Sequence, residues 1–236
     1  MASNSFLAII PARKDSKRLP KKNILEISGK PMISWTIEAA IKSKYIDEIV
    51  VTSDDEKVLE IAKKSGVDTI KRPYYLATDK AKTIDVVKHV IENLKNKFDY
   101  VVLLQPTSPL RNETHIDEAI EFLLKKKADA VISVCEMKHS PLWCNTLPED
   151  KNMENFLKKS IKNLRSQDLP KFYSLNGAIY ICKSDRLIDE NTFFIKDNIY
   201  AYVMDTISSV DVDDYIDYLF AKFILENNFH EEFPFK

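Results

Sequence analysis

The stretch IIPARKDSKRLPKKN, residues 9–23, decides how this sequence is read. Its first residues close the short apolar run FLAIIPA (6–12), and its remainder is a loop carrying Arg13, Lys14, Lys17, Arg18, Lys21 and Lys22. A short apolar run ended by a polar loop reads as a buried strand. In an open α/β sheet, ligands sit at the carboxyl ends of the strands, so the loop stands where an anion would be held. Six cations cannot all point inward, and the plain alternative is a solvated basic loop. Ser16 and Asn23, set among the charges, favour a polyphosphate. The loop is neither a Gly-x-x-x-x-Gly-Lys phosphate loop nor a Gly-x-Gly-x-x-Gly turn, since the chain holds only Gly29, Gly66 and Gly177. Kinase-type and dinucleotide-type readings lose their support with those glycines.

Outward from this loop, the same alternation continues. PMISWTIEAAIKS (31–43) has Pro31 at a helix start and apolar residues at helical spacing. EIVVTS (48–53) is a β-branched strand, and DDEKVLEIAKKSG (54–66) is a helix capped by Asp54 and stopped by Gly66. VDTI (67–70), DYVVLLQ (99–105) and ADAVISVC (128–135) read as strands, TIDVVKHVIENLKN (83–96) and ETHIDEAIEFLLKKK (113–127) as helices. GAIYICK (177–183), NIYAYVM (198–204) and SSVDV (208–212) read as further strands, and DYIDYLFAKFILENN (214–228) as a closing helix. The expected fold is α/β: a mostly parallel sheet covered by helices on both faces. No linker divides residues 1–236 into two cores, so one domain is expected. Between about 139 and 175 the alternation fails in a polar, proline-marked excursion that includes Trp143, Phe156 and Leu157. A small arm for self-association is the better reading of it.

The whole chain makes the basic loop a local feature. Of 236 residues, 44% are hydrophobic and 30% charged, enough to bury a core. Lys and Arg number 35 against 36 Asp and Glu, a formal net charge of −1. A nucleic-acid binder would spread positive charge over a face, so no nucleic-acid partner is expected. No apolar run reaches the ~18 residues of a membrane span, and no basic n-region precedes one. Cys135, Cys144 and Cys182 form no ligand-like pattern, which suits reduced thiols and a cytoplasmic setting. His89, His115, His139 and His230 are equally scattered and read as surface or core residues.

Two further strand ends carry chemistry. In SSVDVDD, alternate residues of a strand share a face, so Asp211 and Asp213 would project together. Two carboxylates on one side suit a hard cation completed by substrate phosphates. The alternative is a capping cluster, in which Asp214 is the helix cap. In LLQPTSPLR (103–111), Gln105 is an amide leaving a hydrophobic strand, either a satisfied core amide or a ligand reader.

Together, IIPARKDSKRLPKKN, KRPYYLATDKAKT, LLQPTSPLR, YSLNGAIYI and SVDVDD resemble, in order and spacing, the acylneuraminate cytidylyltransferases, the CMP-sialic acid synthetases. The resemblance spans roughly residues 6–220. It implies a Rossmann-like fold of the nucleotide-diphospho-sugar transferase type and the joining of CTP to a nine-carbon acidic nonulosonate sugar. Arg13, Ser16, Lys17 and Lys22 match phosphate-holding positions, and Asn23 one beside the ribose. Arg72, Ala81 and Thr83 match the wall around cytosine and ribose, and Gln105 the amide that reads the sugar. Tyr180, Phe193 and Phe194 match an apolar pocket for an N-acetyl methyl, and Arg165 is the candidate for the sugar carboxylate. Asp211 and Asp213 match ligands of Mg²⁺, for which Mn²⁺ can substitute. Arg13, Lys22, Asp211 and Asp213 are thus the expected catalytic set, and the arm is the expected homodimer contact.

Two departures from the family pattern stand out. Asp15 stands where many members have Gly, and Asp tolerates the left-handed backbone better than most residues. The familiar Arg-Arg-Gln-Asp-Leu-Pro is here Arg165-Ser166-Gln167-Asp168-Leu169-Pro170, one guanidinium short. Pro141-Leu142-Trp143-Cys144 is similar to members that activate legionaminic acid. The rival readings are a Kdo cytidylyltransferase, a D-x-D glycosyltransferase and an anion- or RNA-binding module.

Overall fold

The computed structural model describes residues 4–227, so Asn228 and His230 lie outside the described residues. In chain order the elements are β1 (Phe6–Pro11), β2 (Glu26–Ile27), β3 (Lys30–Pro31), α1 (Met32–Lys42), β4 (Glu48–Ser53), α2 (Glu56–Lys64), β5 (Asp68–Lys71) and α3 (Thr83–Asn93). Then follow β6 (Tyr100–Leu104), α4 (Glu113–Lys126), β7 (Ala130–Glu136), β8 (Tyr173–Lys183), α5 (Ser184–Glu190), β9 (Ile199–Met204) and α6 (Tyr215–Glu226). Seven strands form one sheet in the order β5-β4-β1-β6-β8-β7-β9, while β2 and β3 pair as a separate ribbon. Only β8 runs antiparallel to its neighbours β6 and β7 within the described sheet. The expected mostly parallel, helix-covered sheet is what forms.

Strand β1 shows why its sequence is apolar at every position. Phe6, Ala8 and Ile10 pack with residues of α1, α2 and α4 on one face. Leu7 and Ile9 face the other side, with residues of α3 and α5. A strand covered on both faces has no solvent side on which to place polar residues.

The chain winds from β1 to β4 to β5 in one direction, and β6 lies on the opposite flank of β1. The winding therefore reverses between β1 and β6, and a crevice opens there at the strands' carboxyl ends. A third apolar cluster sits at this end. Leu19 of the basic loop, Leu110 after β6 and Val212 before α6 are buried together against Tyr218, Ala221, Ile224 and Leu225 of α6. Three loops far apart in sequence are held by one helix.

Several local expectations are corrected. The α2 cap is Asp55, whose carboxylate accepts from Lys57 N, while Asp54 accepts from Lys14 N at 2.8 Å instead. Residues 208–212 are not a strand. Asp205 accepts from Ile207 N and Ser208 N, and Val210 N bonds Ile207 O, so a turn uses the groups a ladder would need. β8 begins at Tyr173, inside the span assigned to the arm, which leaves 137–172 as the excursion. Asp15 does not take a positive φ; the left-handed residue of the loop is Lys21, at φ 58°.

Candidate active site

The crevice beside β1 and β6 is a cavity of about 500 Å³. Its lining brings together Arg13, Ser16, Lys17, Lys22 and Asn23, with Arg72, Ala81, Thr83, Gln105, Asp211 and Asp213. Arg18 and Asp79 also line it. Tyr180, Phe193, Phe194 and Arg165 do not.

The cations divide by the carboxylate each one holds. Arg13 Nη1 and Lys17 Nζ each lie 2.6 Å from a different oxygen of Asp79. Hydrogen bonds from Lys17 and then Arg13 keep the Asp79 carboxyl below its ordinary range. Lys22 Nζ donates to Val212 O at 2.8 Å and to Asp213 Oδ1 at 3.1 Å, and Arg18 Nη2 lies 2.7 Å from Asp213 Oδ2. Partial burial pulls the Asp213 carboxyl up, but Lys22 and Arg18 outweigh it and the net shift is downward. Asn23 is buried and donates to Arg13 O at 2.9 Å, bracing the loop that carries the cations.

Asp211 has the opposite electrostatics. Burial, with a smaller push from Asp213, raises its carboxyl above the ordinary value despite a hydrogen bond with Thr107. Gly177, at φ +74°, lies beside it: a Cβ there would stand 3.6 Å from Asp211 Oδ2. The two carboxylates face one cavity although no strand holds them. Val212 N bonds Thr107 O at 2.7 Å, and the buried Val212 side chain turns its two neighbours the other way. Among the described residues no group of three or more His, Cys, Asp or Glu side chains could hold a metal. Two hard oxygen donors still fit a cation such as Mg²⁺ that takes its remaining ligands from phosphates.

Arg72 and Gln105 line the cavity from other elements. Arg72 is buried, donates to Thr52 O at 3.0 Å and leaves Nε without a partner among the described residues. Burial, aided by nearby Arg13, pushes its guanidinium down to about 10, so it remains charged at neutral pH. The Gln105 carbonyl accepts from Arg111 Nη2 at 3.4 Å, and Arg111 also donates to Thr36 Oγ1 at 2.8 Å. Arg111 is 1% exposed, and burial alone lowers its guanidinium to about 9. It pins the turn that carries both Gln105 and Thr107.

The aromatic trio forms a group of its own. Tyr180 meets Phe193 and Phe194 edge-on, at centroid distances of 5.8 and 6.3 Å. Phe193 is buried in the core and Phe194 exposed, and Tyr180 is close enough to Asp211 for that charge to raise its hydroxyl pKa, after burial. Arg165 lies in the arm, its side chain 71% exposed and paired with Asp168 at 2.9 Å. Sequence reasoning assigned no role to Asp79, Thr107 or Arg111. Only the charge of Arg111 inside LLQPTSPLR could have drawn attention to it.

A doubly wound sheet with cations and paired carboxylates at its reversal point is the α/β architecture that binds its ligand at the carboxyl ends of the strands. More closely, the chain belongs to the cytidylyltransferase family, whose profile matches residues 7–218. It is 39% identical over 215 residues to an N-acylneuraminate cytidylyltransferase of Streptococcus agalactiae, covering 90% of this chain and 51% of that protein. The chain thus spans about half the length of the first curated relatives it matches. It is 35% identical to the pseudaminic acid cytidylyltransferase of Campylobacter jejuni, covering 96% of this chain and 99% of the relative. It is 33% identical to the CMP-N,N'-diacetyllegionaminic acid synthase of Legionella pneumophila, covering 94% and 97%. Among solved structures, CMP:2-keto-3-deoxy-manno-octonic acid synthetase complexed with CTP matches with a TM-score of 0.73 at 18% identity, covering 95% of this chain and 100% of that one. At that identity the match speaks for the fold.

Proposed function

We propose that this protein transfers CMP from CTP to an acidic nine-carbon nonulosonate, releasing pyrophosphate. The observation that carries the reading is the convergence of Arg13, Lys17, Lys22, Asp211 and Asp213 on one cavity at the reversal point of the sheet. The names of the three curated relatives, which are those of N-acylneuraminate, pseudaminic acid and diacetyllegionaminic acid enzymes, support the substrate class. In this reading the anomeric hydroxyl of the sugar attacks the α-phosphorus, and the basic loop holds the leaving pyrophosphate. Charge spreads over phosphate oxygens in such a transfer, so fixed cations and positioning do most of the work. Arg13 and Lys17 exchange Asp79 for phosphate oxygens, and Lys22 stays on the wall shared with Asp213. Asp211 and Asp213 would hold Mg²⁺, or Mn²⁺ in its place, which supplies neutralisation of phosphate charge when bound. Arg72 with Ala81 and Thr83 borders the base and ribose, and Gln105 reads the sugar. Tyr180, Phe193 and Phe194 offer apolar surface for an N-acyl methyl.

Arg165 is outside the cavity of its own chain, so the reading gives it a role across a homodimer. Leu147, Met153 and Leu164 of the excursion are exposed apolar groups that a second copy would cover. The cytoplasm is the setting that fits CTP as substrate and the three free cysteines. Among the described residues no helix is long and apolar enough to cross a membrane.

The test is pyrophosphate release from CTP with N-acetylneuraminate, N,N'-diacetyllegionaminate, pseudaminate, Kdo or no sugar. Release with a nonulosonate, and none without sugar, is expected. N-acetylneuraminate is the first sugar to try. Legionaminate follows, because Pro141-Leu142-Trp143-Cys144 is similar to members that activate it, although Trp143 does not line the cavity of its own chain. A preference for Kdo over all three nonulosonates overturns the reading.

A further inference from the structure

Both oxygens of Asp213 are engaged, one by Lys22 and one by Arg18. The two partners differ in how firmly they are held. Lys22 has a side chain only 12% exposed and a second anchor on Val212 O, so it is built into the wall. Arg18 has a side chain 67% exposed and meets Asp213 from the mouth of the cavity. A divalent cation ligated by Asp213 competes with both cations for the same carboxylate, and the more exposed Arg18 is the one free to leave. Arg18 also lines the cavity that the triphosphate would fill, and its planar fork suits phosphate oxygens.

We propose that Arg18 is a movable counter-ion, held by Asp213 and handed to the triphosphate when CTP binds. Asp213 then becomes available to the divalent cation only when nucleotide is present. The inference rests on the reading of Asp213 as a metal ligand. It makes metal binding weak in the free protein and couples it to nucleotide, which makes nucleotide-free binding of stray cations unfavourable. Lys17 carries the same charge in the same cavity but is held by Asp79, so it is the control for a field effect.

The experiment is Mn²⁺ binding to nucleotide-free protein, followed by electron paramagnetic resonance of the free ion. Wild type, Arg18→Gln, Arg18→Lys, Lys17→Gln, Asp213→Asn and the Arg18→Gln/Asp213→Asn double variant are compared. Arg18→Gln is expected to tighten Mn²⁺ about threefold or more, by freeing a ligand oxygen. Lys17→Gln should do distinctly less, and Arg18→Lys should stay near wild type. The double variant should lose the gain. Equal tightening by Lys17→Gln and Arg18→Gln means that only the field changed, and the proposal falls. If Arg18→Gln matches wild type while Asp213→Asn weakens Mn²⁺, the counter-ion role is wrong and the metal reading stands. If the double variant keeps the full gain, Asp213 is no ligand and both fall. A second measurement is calorimetry of CTP in chelator, where Arg18→Gln should weaken binding severalfold; unchanged affinity would exclude the hand-over.

Discussion

Arg13 and Asp211 show how single side chains set the character of this site. Arg13 lies just past the end of β1 and is held by Asp79. If Arg13 holds phosphate as proposed, removing it takes away a charge-assisted hydrogen bond, which costs about 1.5–3 kcal/mol. We expect Arg13→Ala to weaken CTP on the order of 10- to 150-fold by calorimetry, with little change in sugar binding. Unchanged CTP affinity would return the loop to a solvated surface. Asp211 is poised differently, because its folded pKa lies above the unfolded one. Between those values the native state binds more protons, so stability falls as pH rises through that window and stays lower at neutral pH. Asp211→Asn removes the buried charge. It should therefore raise Tm at pH 7, give no gain below the ordinary carboxylate pKa, and abolish turnover. A lower Tm at pH 7 would show that the carboxylate is stabilised by contacts stronger than its burial.

At the scale of elements, the three chemical loops are positioned by apolar residues placed among polar ones. Leu19 lies between Arg18 and Lys22, Leu110 beside Arg111, and Val212 between the two carboxylates; all three pack against α6. Asp217 of α6 adds polar ties, accepting from Asp213 N at 3.0 Å and Asp214 N at 3.1 Å. The helix is thus a clamp on the site as well as a cover for the ribbon. Leu19 is 7% exposed, so Leu19→Ala should cost about 2–3 kcal/mol of stability by lost burial and a cavity. It should also weaken CTP although it removes no charge, because Arg18 and Lys22 lose their fixed base. Denaturant unfolding and calorimetry on the same variant check both halves. A stability loss with normal CTP affinity would mean that the loop is positioned by its ion pairs alone.

At the scale of the whole molecule, the excursion at 137–172 is longer than a loop needs to be and exposes apolar groups. If two copies cover those groups and each arm completes the other's cavity, the chain should scatter light at twice its 27.3 kDa. Mixing then provides a sharper check. Arg165→Ala and Asp213→Asn proteins should each be nearly inactive. Co-refolded in equal amounts, they should regain about a quarter of wild-type turnover, because half of the dimers hold one intact site. No recovery would place Arg165 in the site of its own chain or in none.

Most of the order of strands and helices, the buried first strand and the basic loop at its end were legible in the sequence, because periodicity, Gly66 and the apolar run of β1 are local signals; the short β2-β3 ribbon and α5 were not. The same local logic failed at 208–212, where a β-branched pattern yields to the turn held by Asp205. It also put the left-handed turn at Asp15 rather than Lys21, since preference for that conformation is weak beside the demands of the loop that follows. That the basic loop and the acidic pair would meet rested on resemblance; their actual partners were decided by the tertiary structure. Asp79 meets Arg13 across 66 positions and Asp213 meets Lys22 across 191, while Arg165 stays away. Those distances are set by the reversal of the sheet between β1 and β6 and by the burial of Leu19, Leu110 and Val212 on α6. Charge in a sequence states what a loop can attract, and only packing of the apolar residues between the charges decides which carboxylate comes within reach.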